Sequence, residues 1–96
     1  MTLQEFIKTT QLTNPPEGLS LALKALWYDV KGNWDRAHDF ADSEHNPHNN
    51  WVHAYLHRVE GDRFNANYWY RRAGKDFPMV SLQAERDAII EALLAI

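Results

Sequence analysis

Ninety-six residues, 45% apolar and 24% charged, make one small globular domain, near the lower end of what a single hydrophobic core stabilises. Cysteine is absent, which excludes disulfides and thiolate metal ligands, and a net charge of −3 supplies no basic field for a polyanion. No apolar run approaches the ~20 residues that span a bilayer. The expectations are therefore no nucleic-acid partner, no membrane partner and a cytoplasmic address. Met1 leads into Thr2, Gln4, Glu5 and Lys8, without a basic stretch followed by an apolar one.

Caps and periodicity predict helices in chain order. Thr2 with Glu5 is a capping-box pattern ahead of Phe6 and Ile7, predicting a short helix at about 2–9. Asn14-Pro15 reads as N-cap and first residue of a second helix. Its apolar positions Leu19, Ala22, Leu23, Leu26, Trp27 and Val30 carry it to about Lys31. Gly32 ends it and Asn33 caps a third helix, about 34–43, that buries Ala37, Phe40 and Ala41. His45 to Asn50 reads as a loop, with Asn50 capping a helix over 51–60. Asp62 caps a fifth helix, about Arg63 to Lys75, with Ala66, Trp69, Tyr70 and Ala73 facing inward and Pro78 stopping it. Ser81 caps the last helix, where Leu82, Ile89, Ala92, Leu93 and Ile96 form an apolar stripe that Ile90 and Leu94 widen. Nothing reads as a strand.

Leu23–Ala41 laid over Val52–Tyr70, an offset of 29 residues, exposes a duplication. Ala25 falls on Ala54, Val30 on Val59, Gly32 on Gly61 and Ala37 on Ala66; Asn33 falls on Asp62 and Phe40 on Trp69. Each copy is a helix, a glycine able to turn left-handed, an N-cap and a second helix, with small alanines where the two helices approach. The expected fold is one all-α domain, residues 1–96: an antiparallel array of two αα-hairpins closed by N- and C-terminal helices.

Gly61-Asp62 followed by Ala66, Tyr70, Ala73 and Pro78 resembles the second half of a tetratricopeptide repeat, and Ala25 with Tyr28 matches the small residue and tyrosine of that family's first helix. Ala54 matches as well, but His57 replaces the tyrosine, Glu44 stands where alanine is expected, and the copies are spaced by 29 residues rather than about 34. The resemblance covers about residues 19–78 and implies a protein or peptide partner. The phrases Gly32-Asn33-Trp34-Asp35-Arg36-Ala37-His38, Trp51-Val52-His53-Ala54-Tyr55-Leu56-His57-Arg58, Glu60-Gly61-Asp62 and Asn65-Ala66-Asn67-Tyr68-Trp69-Tyr70 resemble a family of small bacterial proteins of unknown function; that likeness implies no activity.

Four constellations are able to carry chemistry. His53, His57 and Glu60 lie on one helical stripe with ligand spacing for a metal ion. The matching stripe of the first copy is Lys24, Tyr28 and Lys31, which favours a solvated polar face. Asp35 and His38, beside Trp34, make a carboxylate–imidazole pair, yet no Ser or Cys nucleophile accompanies them in a recognisable motif. Among the aromatics, Trp27, Trp69, Tyr55 and Tyr70 take inward positions, whereas Trp34, Trp51 and Tyr68 are candidates for a surface. Arg63, Arg71, Arg72 and Lys75, interleaved with Asn65, Asn67 and Tyr68, complement a helix dipole as readily as they meet phosphate.

The leading expectation is a non-enzymatic interaction protein that presents Trp34, Asp35, His38, Trp51, His53, His57, Arg58, Glu60, Asn65 and Tyr68 to a protein or peptide partner, with a homodimer through the broad C-terminal helix as a further expectation. The sequence assigns no catalytic residue, no metal site and no cofactor. The competing expectation is a small-molecule or metal-binding protein, hydrolytic in one version, and it requires His38, His53, His57 and Glu60 to converge.

Overall fold

Each helix starts on a short polar side chain that accepts the backbone N–H three residues on. Thr2, Ser20, Asn33, Asn46, Asp62 and Ser81 cap the N–H groups of Glu5, Leu23, Arg36, Asn49, Asn65 and Ala84. The computed structural model describes all residues 1–96 and has six helices and no strand. They are α1 (Leu3–Thr9), α2 (Leu21–Lys31), α3 (Trp34–Asp42), α4 (Pro47–Val59), α5 (Arg63–Ala73) and α6 (Leu82–Leu94). The all-α class is as expected, and so is the capping box at Thr2 and Glu5. No helix is long and apolar enough to cross a membrane.

Three boundaries differ from expectation, each for a local reason. The second helix begins at Leu21, because Gly18 takes a left-handed φ of 85° and Ser20, not Asn14, supplies the cap. The fourth begins at Pro47, because Asn46-Pro47 is itself an N-cap followed by a proline at N1. Asn49 is thereby helical, and its Nδ2 donates to the carbonyls of Phe40 and Ala41 at 3.2 Å each, satisfying the end of α3. The fifth stops at Ala73, where Gly74 turns left-handed at φ 71° before Pro78 is reached.

The duplication seen in sequence is reproduced at the α2–α3 and α4–α5 junctions. Gly32 and Gly61 have φ of 90° and 83°, and Asn33 and Asp62 follow with ψ of 82° and 81°. Asn33 N–H donates to Tyr28 and Asp62 N–H to His57, both at 2.9 Å. Ala25, Ala37, Ala54 and Ala66 are all fully buried, as close helix approach requires.

The main core gathers Phe6, Ala22, Leu26, Trp27, Val52, Leu56, Ile89 and Ile90 between α1, α2, α4 and α6. Burying each such large side chain contributes about 1.5–3 kcal/mol against the entropy of ordering the chain. Helix α6 closes this core with Ile89, Ile90 and Leu93, so the buried stripe includes Ile90 and omits Leu82, Ala92 and Ile96, all of which face solvent. Its one buried charge is Glu85. The Tyr70 hydroxyl lies 2.6 and 2.7 Å from the two Glu85 oxygens, and Arg58 Nη1 donates to Oε1 at 2.9 Å. Arg58 also donates to the Val80 carbonyl. Burial, and next the Glu85 carboxylate, push the Tyr70 phenol well above its ordinary range. Arg58, expected to face a partner, instead ties α4 to the segment that enters α6.

Candidate metal centre

Helix α4 packs against both α3 and α5, and the residues it turns toward them include His53 and His57, one turn apart. His38 on α3 and Trp69 on α5 meet them there. His38 Nε2 lies 3.0 Å from His53 Nε2, and the ring centroids of His38 and His57 are 5.2 Å apart. One ring nitrogen from each of His38, His53 and His57 lies within 4.8 Å of the other two. His53 is 2% exposed and His57 9%, whereas His38 is half-buried and forms the solvent side of the group. Two residues of the stripe expected to be a solvated face, His53 and His57, are thus interior, while Glu60 at its end remains exposed.

Aromatic rings wall the cluster. Trp34 stacks on His38 with centroids 4.9 Å apart, and Trp69 stacks on His53 at 3.9 Å. Trp34 is fixed by its indole N–H, which donates to the Leu56 carbonyl at 2.8 Å. Such walls exclude water on two sides and hold the imidazole planes.

Carboxylates stand behind two of the rings. Glu60 Oε1 lies 2.6 Å from His57 Nδ1, a charge-assisted contact that favours a proton on Nδ1 and leaves the Nε2 lone pair free. Asp42 Oδ1 lies 3.8 Å from His53 Nδ1, beyond hydrogen-bond reach, and that buried nitrogen has no partner. Burial first, and then repulsion from His38 and His57, lower the His53 pKa to about 4, so its imidazole is neutral at physiological pH. Neutral imidazole is the ligand form.

The spacing fits a metal ion. Two nitrogens held at about 2.0–2.1 Å from one tetrahedral zinc stand about 3.3 Å apart, so the 3.0 Å His38–His53 pair needs only a small rotation to share an ion. Carboxylates on the far nitrogens of ligating histidines are the usual orienting partners. His57, Glu60 and Asp62 form a second group of close ligand atoms, but Asp62 accepts from Asn65 N and Nδ2 at 3.1 and 2.7 Å as the α5 cap. Glu60 therefore reads as outer support and Asp62 as a helix cap.

The remaining expected site residues lie apart. Asp35 is exposed and makes no hydrogen bond to His38, whose partner is His53. Trp51 is half-buried with Lys75 Nζ over its ring at 4.2 Å. Tyr68 is exposed, edge-on to Trp69, and accepts from Arg72 at 3.0 Å. Asn65 donates to Asp62. Sequence reasoning missed Asp42 and placed Trp69 as core filling; the available signal was Asp42 one turn after His38, on the same face. The largest surface cleft, about 780 Å³, has Trp34, Asp35, Arg36 and Lys31 on its wall and none of the three histidines.

No protein-family model, curated protein or solved structure matches the chain. Function is accordingly read from the site.

Proposed function

We propose that this protein binds a divalent transition-metal ion, zinc foremost, through His38, His53 and His57. The observation that carries the proposal is the convergence of three imidazole nitrogens within 4.8 Å, two of the rings buried and one partly open. An all-nitrogen set without thiolates suits zinc, copper or nickel rather than calcium or magnesium. Three histidines leave a fourth position, on the partly exposed His38 side, for water or a ligand atom. That is the coordination pattern of zinc sites that activate water, and it makes hydrolysis the chemistry to look for once an ion is bound.

Titration calorimetry of the metal-free protein with zinc tests the reading. It predicts one ion per chain at micromolar affinity or tighter, and loss of binding in His53→Ala. A folded wild-type protein that takes up no zinc, copper or nickel overturns it.

A second reading, a tetratricopeptide-like interaction module, draws support from the duplicated junctions and from Phe64 and Met79, apolar side chains 85% and 96% exposed. It moves the partner surface away from His53, His57 and Arg58. Partner capture lost in Phe64→Ser and kept in His53→Ala supports it; the reverse pattern removes it. The homodimer version rests on Ile96, 82% exposed at the end of α6, and sedimentation of Ile96→Lys against wild type decides it.

A further inference from the structure

We infer that Asp42 is a positioning residue of the metal site, which accepts the Nδ1–H of His53 and so presents Nε2 of that ring to the ion. The inference rests on the metal-binding reading and adds the residue that selects the His53 tautomer. Without an ion, His53 has no satisfactory proton arrangement. If its Nε2 accepts from His38, the proton sits on Nδ1, a buried atom with no acceptor within hydrogen-bond distance. If its Nε2 donates to His38, the Nδ1 lone pair faces the Asp42 carboxylate at 3.8 Å. An unmet buried donor is destabilising, and a lone pair facing an anion is no better.

Coordination removes the conflict. An ion on Nε2 leaves the proton on Nδ1, where the only carboxylate in reach is Asp42. Closing from 3.8 Å to a hydrogen bond of about 2.8 Å is a side-chain rotation, available because Asp42 ends α3 and its side chain is half exposed. The same Oδ1 already lies 3.2 Å from His45 Nε2, so the carboxylate is held near its working position rather than free in solvent. His57 has its counterpart in Glu60, already closed at 2.6 Å. Asp42 and Glu60 thus back two of the three ligands, as outer carboxylates do in histidine metal sites.

Zinc competition against a chromophoric chelator, on metal-free wild type, Asp42→Ala, Asp42→Asn and Asp39→Ala, tests the inference, together with long-range 1H–15N imidazole spectra of the zinc-loaded protein. Asp42→Ala is expected to weaken zinc roughly 10- to 100-fold, Asp42→Asn less because its amide oxygen still accepts, and Asp39→Ala by less than about twofold. The spectra are expected to show His53 protonated at Nδ1 and metal-bound at Nε2. Equal losses in Asp42→Ala and Asp39→Ala would mean an effect of net charge, and would overturn the inference. So would an unchanged affinity in Asp42→Ala, or coordination of His53 through Nδ1. Wild type that binds no zinc is a different failure, that of the metal reading itself.

Discussion

His38 and His53, fifteen residues apart in the chain, meet nitrogen to nitrogen at 3.0 Å across the α3–α4 interface. Two neutral imidazoles share one proton there, whereas two imidazolium rings repel. The contact therefore depends on pH, and the buried partner decides how.

The metal-free protein is expected to lose stability in mild acid. Unfolded histidine titrates near 6.5 and folded His53 near 4, so between these values the unfolded chain binds the extra proton. The contribution is full above about pH 6.5 and is lost progressively as pH falls toward 4, up to roughly 3 kcal/mol. Urea midpoints at pH 7.5 and 5.0 measure it. His53→Phe, which fills the site without a titrating group, is expected to flatten the slope.

Glu85 is expected to be among the costliest single positions. Glu85→Ala leaves the Arg58 charge without its carboxylate and the Tyr70 hydroxyl without an acceptor, a loss of about 3 kcal/mol. Tyr70→Phe removes one hydrogen bond and is expected to cost about 1 kcal/mol. Chemical denaturation separates the two.

The duplicated junctions predict matched costs. A Cβ added at Gly32 or Gly61 meets no atom within 4 Å, so only the left-handed φ penalises alanine. Gly32→Ala and Gly61→Ala are each expected to lower stability by about 1 kcal/mol. Values that differ several-fold would mean that the two turns are not equivalent.

Trp69 is the expected optical reporter. Its ring lies 3.9 Å from His53, so copper(II) bound at the cluster quenches indole fluorescence, and Trp69→Phe removes much of that signal. Quenching that is unchanged in Trp69→Phe and in His53→Ala would place the copper elsewhere.

The fold was more legible in the sequence than the site. Caps followed by alanines and a left-handed glycine are local signals, and the Gly32-Asn33 and Gly61-Asp62 pairs marked both hairpin turns. The Pro15 and Asn50 boundaries failed because a better cap lay nearby, at Ser20 and Asn46. The site was half legible. His53 and His57 share a stripe by helical period alone, but whether that stripe faces water depends on how α3 and α5 cover it. Comparison with Lys24 and Lys31 in the first copy pointed outward, although Tyr28 between them is itself buried against Phe40 of α3, just as α3 lays His38 against His53 in the second copy. Asp42 was invisible for the same reason: its meaning lies in an interhelical distance.

X-ray absorption at the zinc edge of the loaded protein decides whether His38, His53 and His57 hold the ion. Three imidazole nitrogens at about 2.0–2.1 Å are expected, falling to two in His38→Ala. A shell of oxygens without imidazole scattering, or a spectrum indifferent to His38→Ala, would contradict it.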